Sequence, residues 1–228
     1  GTASVCYDVI NSAYNQKVPV ALTTIYDFHN FSYIIRSAIP FQSKVKQVGY
    51  NILNKNFQKF SKVKKMLDQS SILFPDTWME GNFLIKNFKV PKEKIFPVPH
   101  GVDERFMFAK PNLFIKKYGL KDFVLYVGRI DIRKNVLNLI RALKNTGIDL
   151  VIIGKAEPDQ QLYFEECKKE VGKNVHFLGQ FPHESKILES AYAAAKVVTL
   201  PADYETPGLV GMEAGLARAN VVITERGS

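Results

Sequence analysis

The 228-residue sequence predicts an α/β protein with a doubly wound parallel sheet, and three observations support this fold class. From residue 123 onward, short β-branched apolar runs alternate with segments of helical periodicity, which is typical of parallel sheets with right-handed crossovers. The hydrophobic content of 46% is enough for a substantial core. No apolar run approaches the length of a membrane span. We therefore expect a soluble, cytoplasmic protein.

The N-terminal part contains a series of predicted elements, taken in chain order. Residues 1–15 have the pattern of a helix end, and the apolar, β-branched run PVALTTI favours a buried parallel strand. Beyond the basic segment discussed next, further strands and a helix are indicated by short apolar runs and helical periodicity. They are a strand at 71–75, a helix at 77–88 and a strand at 94–99.

Residues 44–67 combine apolar positions at mostly helical spacing with interleaved lysines, which predicts one amphipathic basic helix or two. Such a helix could present a solvated basic face. It could instead lie on an anionic membrane, where each lysine near the surface contributes about 1 kcal/mol. A peripheral contact with the inner face of the membrane is therefore an open alternative.

Prolines at 91, 97 and 99 precede the segment HGVDERF and predict an ordered connector between two lobes. The predicted domains are therefore 1–99 and 100–228. In the second domain, apolar runs predict strands at 123–127, 149–154, 174–179, 196–200 and 220–224. Helical patterns between them predict helices near 135–144, 160–171, 185–195 and 207–217.

Charge and cysteine content limit the choice of partner. The formal charge of +9 favours an anionic partner, which could be a nucleotide phosphate, an anionic membrane or nucleic acid. Cys6 and Cys167 are far apart and lack metal-type spacing, so neither a disulfide framework nor a zinc site is predicted. Both are most simply small buried apolar residues.

The stretch ETPGLVGME, from Glu205 to Glu213, follows a predicted strand and opens a predicted helix. The N-H groups near Gly208 and Leu209 would form an anion site at the helix N-terminus. Glu205 and Glu213 could both face one crevice beside that anion and accept sugar hydroxyls. This arrangement suggests a sugar nucleotide, whereas the alternative is a helix N-terminus with two solvated acids.

A second group of polar residues follows the strand PVALTTI in the N-terminal domain. Tyr26, Asp27 and His29 lie where the carboxyl edge of a parallel sheet places functional side chains. The alternative is that Asp27 caps the next segment and His29 is a surface group.

Four landmarks occur in a fixed order and carry a resemblance to a known family. They are VPHGVDERF, YVGRIDIRKN, VIIGKAEP with VHFLGQF, and ETPGLVGMEAGLARANVVIT. Together they resemble the retaining nucleotide-sugar glycosyltransferases of family four, whose GT-B fold has two Rossmann-like domains. Glu205 and Glu213 match that family's Glu-x7-Glu signature. The resemblance covers 18–228, and the family's glycine-rich N-terminal loop and its last helices fall outside this sequence, so we expect an incomplete N-terminal domain.

The resemblance implies a role for each matching residue of the second domain. Arg129 and Lys134 would bind the donor diphosphate as catalytic cations, since fixed positive charge stabilises the leaving group. Glu205 would be catalytic through the hydroxyls of the transferred sugar. Glu213 would bind the ribose hydroxyls, and main chain near Phe181 would meet the base.

The remaining donor-binding candidates surround the first glutamate. The backbone of Gly208 and Leu209 would complete the phosphate cradle. Thr206 and Pro207 stand where the family usually has a glycine and an aromatic residue, and both are candidate contacts of the donor sugar. On the acceptor side, Tyr26 replaces the usual histidine, unless His29 has taken over its role.

The resemblance thus implies a hexosyltransferase that uses a UDP- or GDP-sugar and retains the anomeric configuration. Its acceptor would be a sugar, a lipid-linked sugar or a glycan, with no cofactor and no metal. Rival interpretations are a glycoside hydrolase, an epimerase or phosphorylase of the same fold, and a non-catalytic module that binds sugar nucleotides or nucleic acid. Nucleic acid is the less favoured partner, because charge alone supports it.

Overall fold

The computed structural model describes residues 2–24, 57–203, 205 and 208–224. The described residues divide into two compact units, and the chain passes from the first to the second between His100 and Gly101. Each unit combines helices with a parallel sheet. None of the helices within the described ranges is both long and apolar enough to cross a membrane.

In the first unit, two parallel strands pair along their whole length. Strand β1 (Ala21–Thr24) lies beside β2 (Ile72–Pro75), with Ala21 opposite Ile72. The described helices are α1 (Thr2–Asn15), α2 (Phe57–Gln69) and α3 (Trp78–Phe88). Thr77 caps α3, because its side chain accepts a hydrogen bond of 3.2 Å from the Glu80 amide.

The core of this unit lies between β2 and its flanking helices. It contains Leu67, Leu73, Leu84, Phe88, Val90 and Ile95. Of the predicted basic helix at 44–67, the residues from 57 onward form part of α2, and the earlier ones lie outside the described residues.

The strand predicted at 94–99 is wrong as a regular strand. A 3₁₀ turn (Lys92–Lys94) is followed by a single parallel bridge between Leu73 and Ile95. The amides of Phe96 and Val98 still donate to β2 carbonyls, each at 2.9 Å. The nitrogens of the two prolines at 97 and 99 carry no hydrogen, so this stretch can only follow the edge of the sheet.

The second unit contains a five-stranded parallel sheet. Its strands and four of its helices lie within the predicted ranges, whereas the helix Asn112–Tyr118 was not predicted. Its strands are β3 (Val124–Val127), β4 (Leu150–Ile153), β5 (Val175–Gly179), β6 (Val197–Leu200) and β7 (Asn220–Ile223). Its helices are α4 (Asn112–Tyr118), α5 (Val136–Leu143), α6 (Gln161–Lys169), α7 (Lys186–Ala194) and α8 (Leu209–Leu216). Two 3₁₀ helices, Glu104–Phe108 and Pro158–Gln160, complete the described elements.

Both faces of this sheet are covered, as strand β4 demonstrates. All four of its residues are buried. Leu150 and Ile152 pack into the core on the side of α5 and α6, whereas Val151 and Ile153 pack into the core on the side of α4 and α7. An uninterrupted apolar strand is expected when both faces of a parallel sheet are buried.

The order of the strands creates a switch point in this sheet. The order is β5-β4-β3-β6-β7, so the chain runs from β3 through β4 to β5 at one edge and then returns to the other side of β3. β3 and β6 are therefore neighbours whose connections leave in opposite directions. Ligands of open α/β sheets bind at the carboxyl ends of the strands at such a point.

Candidate active site

A pocket of about 120 Å³ lies at this switch point, at the carboxyl ends of β3 and β6. Two polar side chains, Lys134 and Glu205, line it together with the first residues of α8. The other lining residues are apolar or glycine: Tyr126, Val127, Gly128, Leu200, Pro201, Ala202, Gly208, Leu209 and Val210. The pocket therefore has a concentrated polar side in an otherwise apolar wall.

Glu205 is held between two cations. Lys134 donates from Nζ to Glu205 Oε1, and Arg133 Nη1 lies 3.7 Å from Oε2. The Glu205 residue is only 5% exposed, so its charge is balanced mainly by these neighbours. Burial lowers the pKa of the Lys134 ammonium, and the nearby Glu205 carboxylate opposes that effect.

A buried tyrosine fixes the start of the loop that carries Lys134. Tyr126 donates a hydrogen bond of 2.5 Å to the Arg129 carbonyl. Burial raises the pKa of Tyr126 well above its ordinary value, so its hydroxyl remains a donor. Asp131 Oδ1 accepts from the Lys134 amide at 2.9 Å. The loop is therefore fixed at its start and near its end.

A close backbone approach also fixes this loop on β4. A Cβ added at Gly154 would lie 1.8 Å from the Gly128 carbonyl oxygen. The Gly128 amide donates to the Ile153 carbonyl at 3.0 Å. Only a glycine at position 154 allows the loop after β4 to lie this close to the loop after β3.

The N-terminus of α8 forms the opposite wall of the pocket. Gly208 precedes the helix and Leu209 begins it, and both line the pocket. The amides of a first helical turn lack intrahelical acceptors and carry partial positive charge. This end of α8 can therefore attract an anion. Thr206 and Pro207 lie outside the described residues.

Arg129 does not line the pocket. Its side chain is 56% exposed, and its Nε lies 3.8 Å from Asp131 Oδ2. Arg129 thus supplies an exposed charge on the same loop as Lys134.

Glu213 also lies away from the pocket, although we expected both glutamates in one crevice. Its carboxylate receives hydrogen bonds from Tyr192 Oη at 2.6 Å and from His183 Nε2 at 2.8 Å. Glu205 lies before α8 and Glu213 lies within it, so the turn of the helix directs the second carboxylate toward α7. Burial and the Glu213 charge raise the pKa of Tyr192 well above its ordinary value.

The remaining predicted residues are Phe181 and three residues of the N-terminal part. Phe181 follows β5 and stacks on Tyr118, with 6.3 Å between ring centroids and 18° between ring planes. Tyr26, Asp27 and His29 lie outside the described residues. Across the described ranges, no three His, Cys, Asp or Glu side chains form a group suited to a metal ion.

Comparison with known proteins shows which family this sheet and pocket represent. Residues 113–228, just over half of the chain, match the family described as glycosyl transferases group 1. The chain belongs to this glycosyltransferase family.

Relatives of known sequence are also glycosyltransferases. An uncharacterized glycosyltransferase of Methanocaldococcus jannaschii is 30% identical over 154 residues, which cover 61% of this chain and 38% of that protein. The D-inositol 3-phosphate glycosyltransferase of Xylanimonas cellulosilytica is 27% identical over 173 residues, or 70% of this chain and 42% of that protein. The chain thus spans less than half the length of these relatives.

Solved structures show the same fold. Anabaena HepE in complex with UDP superposes on 99% of this chain and 58% of its own, with a TM-score of 0.73 and 15% identity. Other HepE structures contain UDP and glucose, or UDP-glucose. At this identity the likeness shows the fold alone, and it confirms the predicted α/β fold of the GT-B type.

Several residues that contact Glu205 or Glu213 were missed in the sequence. Arg133 lies beside Lys134 and reaches the same carboxylate, but an adjacent pair of cations gives no sign of which one points inward. His183 and Tyr192 contact Glu213 from 30 and 21 residues away along the chain. Contacts of this length require the three-dimensional structure, because no local periodicity encodes them.

Proposed function

We propose that this chain contributes to the transfer of a hexose from a nucleotide-diphosphate sugar to an acceptor hydroxyl, with retention of the anomeric configuration. The observation that carries the proposal is the Lys134–Glu205 pair, which lines a pocket at the switch point beside the N-terminus of α8. Cation, carboxylate and helix N-terminus suit a phosphate joined to a sugar.

The cations of the loop after β3 would stabilise the leaving group. Negative charge builds up on the nucleotide diphosphate as the glycosidic bond breaks, and preorganised positive charge stabilises that transition state. Lys134 is inside the pocket, and the exposed Arg129 can approach the second phosphate. Loss of one such group costs on the order of 10²–10³ in rate. We expect no metal requirement, since these cations neutralise the diphosphate.

Glu205 would accept hydroxyls of the transferred sugar. Lys134 and Arg133 both pair with this buried carboxylate and fix its direction. It binds rather than attacks, because in the proposed mechanism the acceptor hydroxyl attacks from the face that the nucleotide leaves. The departing phosphate then takes the proton of that hydroxyl.

The size of the pocket limits what it would hold. Sites for whole ligands commonly measure about 300–1,000 Å³. A volume of about 120 Å³ fits only part of a nucleotide sugar. We therefore assign the sugar and adjacent phosphate to the pocket, and the nucleoside to the side of α8 that carries Glu213 and to the main chain near Phe181.

The donor base and the acceptor are the finer parts of the proposal. The HepE complexes with UDP and UDP-glucose favour a UDP-sugar, and a GDP-sugar is the alternative. We assign the acceptor, a sugar, lipid-linked sugar or glycan, to the domain 1–99, with Tyr26, Asp27 and His29 as candidate contacts. The donor belongs to the domain 100–228. A cytoplasmic location with peripheral membrane contact through 44–67 completes the proposal.

Calorimetric titration with UDP, GDP, UDP-glucose and GDP-mannose tests the donor site. We expect one nucleotide to bind, and Lys134→Ala to weaken it at least tenfold. Lys144→Ala is the matched control, because Lys144 also pairs with a glutamate, at 3.1 Å from Glu170, but lies at the opposite end of α5 from the pocket loop. No binding by any nucleotide to the folded chain would contradict the proposal. Salt-sensitive binding of a DNA duplex instead would favour a nucleic-acid module.

A further inference from the structure

Three side chains and the second glutamate form a connected group, which we call the Glu213 cluster. It contains Arg105, His183, Tyr192 and Glu213, from four different segments of the second unit. Arg105 lies on the 3₁₀ helix Glu104–Phe108, His183 precedes α7, Tyr192 lies on α7 and Glu213 lies on α8.

Glu213 determines which nitrogen of His183 carries the hydrogen, because its carboxylate accepts and lies 2.8 Å from Nε2. Arg105 Nη2 contacts the same ring, 3.0 Å from Nδ1 and 3.5 Å from Nε2. The same Nη2 donates to the His183 carbonyl at 2.8 Å, which fixes the Arg105 side chain against the main chain of His183. The hydrogen therefore resides on Nε2, and Nε2 donates to Glu213 Oε1 at 2.8 Å.

Tyr192 holds the other oxygen of Glu213. Its hydroxyl donates to Oε2 at 2.6 Å from a fully buried ring. Phe106 packs against both donors, edge-on to Tyr192 with centroids 5.3 Å apart and tilted against His183 at 5.9 Å. The two hydrogen-bond donors are thus held in place by one buried aromatic side chain.

The hydrogen-bond partners of Glu213 leave each of its oxygens able to accept one more hydrogen bond. A carboxylate offers about four acceptor sites, two on each oxygen, and each oxygen here uses one. Among the described residues, no Lys or Arg nitrogen forms an ion pair with Glu213. Glu205, in contrast, is paired with two cations. Glu213 therefore keeps one free acceptor site on each oxygen, which matches the two hydroxyls of a vicinal diol.

We propose that Tyr192 and His183 are positioning residues, which hold the Glu213 carboxylate so that it accepts both the 2′- and 3′-hydroxyls of a nucleotide ribose. Arg105 acts through His183 by holding its ring and its carbonyl in place. This inference rests on the proposed function, which assigns the ribose to Glu213. It adds that specificity for a ribose diol depends on side chains that do not themselves need to touch the nucleotide.

The test compares UDP and GDP with their 2′,3′-dideoxy analogues by calorimetry on the same variants. Tyr192→Phe and His183→Ala should each weaken the binding nucleotide about tenfold, which is the scale of one hydrogen bond to a charged group. Affinity for the dideoxy analogue should change less than about twofold, because the hydroxyls that Glu213 accepts are missing. His183→Gln should restore most of the loss, since its amide can donate from nearly the position of Nε2.

Tyr163→Phe is the matched control, because it removes a buried hydroxyl on the opposite face of the sheet, where it accepts from the Leu137 amide. It should change neither affinity. Equal weakening of the ribose and dideoxy nucleotides by Tyr192→Phe and His183→Ala would overturn the inference and indicate a purely structural role. If Tyr192→Phe fails to fold, the half-exposed His183 variants decide the outcome.

Glu213→Gln separates this inference from the function on which it rests. If that variant binds the ribose nucleotide as well as the unmodified chain does, then the assignment of ribose to Glu213 fails, and the inference fails with it. If Glu213→Gln loses selectivity for the ribose nucleotide but neither Tyr192→Phe nor His183→Ala does, then only the positioning role is overturned.

Discussion

Removal of the Lys134 ammonium should destabilise the protein because it leaves the Glu205 carboxylate with one of its two cations. Lys134→Met keeps most of the side-chain volume, so the change is mainly electrostatic. The Lys134 and Glu205 side chains are 17% and 6% exposed, so bulk water replaces little of the lost interaction. The loss should therefore be that of a buried pair rather than of a surface pair.

The magnitude follows from the partner that remains. Breaking a buried ion pair by removal of one partner costs about 3–5 kcal/mol. Arg133 Nη1 stays 3.7 Å from Glu205 Oε2, and at an effective dielectric constant of about 20 that attraction is roughly 4 kcal/mol. Since this attraction still compensates part of the Glu205 charge, we expect the loss of stability for Lys134→Met to be at the low end of that range, about 3 kcal/mol. Glu205→Gln should cost a similar amount.

Urea denaturation followed by circular dichroism measures these losses. The double variant should lose about as much as either single variant, because the pair is removed as a unit. Lys144→Met, which removes a lysine 36% exposed and paired with a Glu170 side chain 30% exposed, should cost less than about 1 kcal/mol. Additive single losses, or a loss below about 1 kcal/mol for Lys134→Met, would refute the buried-pair reasoning.

Two further predictions concern backbone packing and thiol chemistry. Gly154→Ala should destabilise the protein by about 3 kcal/mol or more, because its Cβ would lie 1.8 Å from the Gly128 oxygen. Gly215 lies in a helix, and a Cβ added there would meet nothing within 4 Å, so Gly215→Ala should stabilise the protein by about 0.5–1 kcal/mol. Equal unfolding midpoints for the two variants would contradict the predicted clash at Gly154. Ellman's reagent at pH 8 should find one fast thiol in the native chain, Cys6, and two in denaturant, because Cys167 is buried. Two fast thiols in the native chain would contradict the burial of Cys167. Burial also raises the pKa of Cys167 from 9.0 to about 12. The thiol therefore ionises first in the unfolded chain, and the free energy of unfolding should fall as the pH rises above about 9.

The strands of the second unit could be predicted from the sequence because their burial imposes a simple local pattern. In β4 every side chain is buried, and the sequence LVII is accordingly uninterrupted by polar residues. Local chemistry also indicated the end of the sheet at which the site lies, since Glu205, Gly208 and Leu209 follow an apolar strand and open a helix. These features depend only on residues close together in the chain.

The predictions that failed depend on interactions that a local sequence pattern does not contain. The stretch 94–99 has strand-like composition, yet its prolines allow it only along a sheet edge. Cys6, expected to be buried, is exposed, because a small apolar side chain fits either environment. The direction of Glu213 was missed for a different reason. Helical spacing gives its angle around α8, but only the packing of α7 determines what lies opposite it.

The burial of Phe106 bears on where this protein can be divided. Phe106 is completely buried in the core that also contains Phe114, Tyr192 and Ala214, although it lies only five residues beyond the boundary between the two units. A C-terminal fragment that begins after Phe108 would lose this side chain and open a cavity beneath α7 and α8. A fragment intended to fold by itself therefore has to retain the segment from Gly101, even though that segment has the composition of a linker.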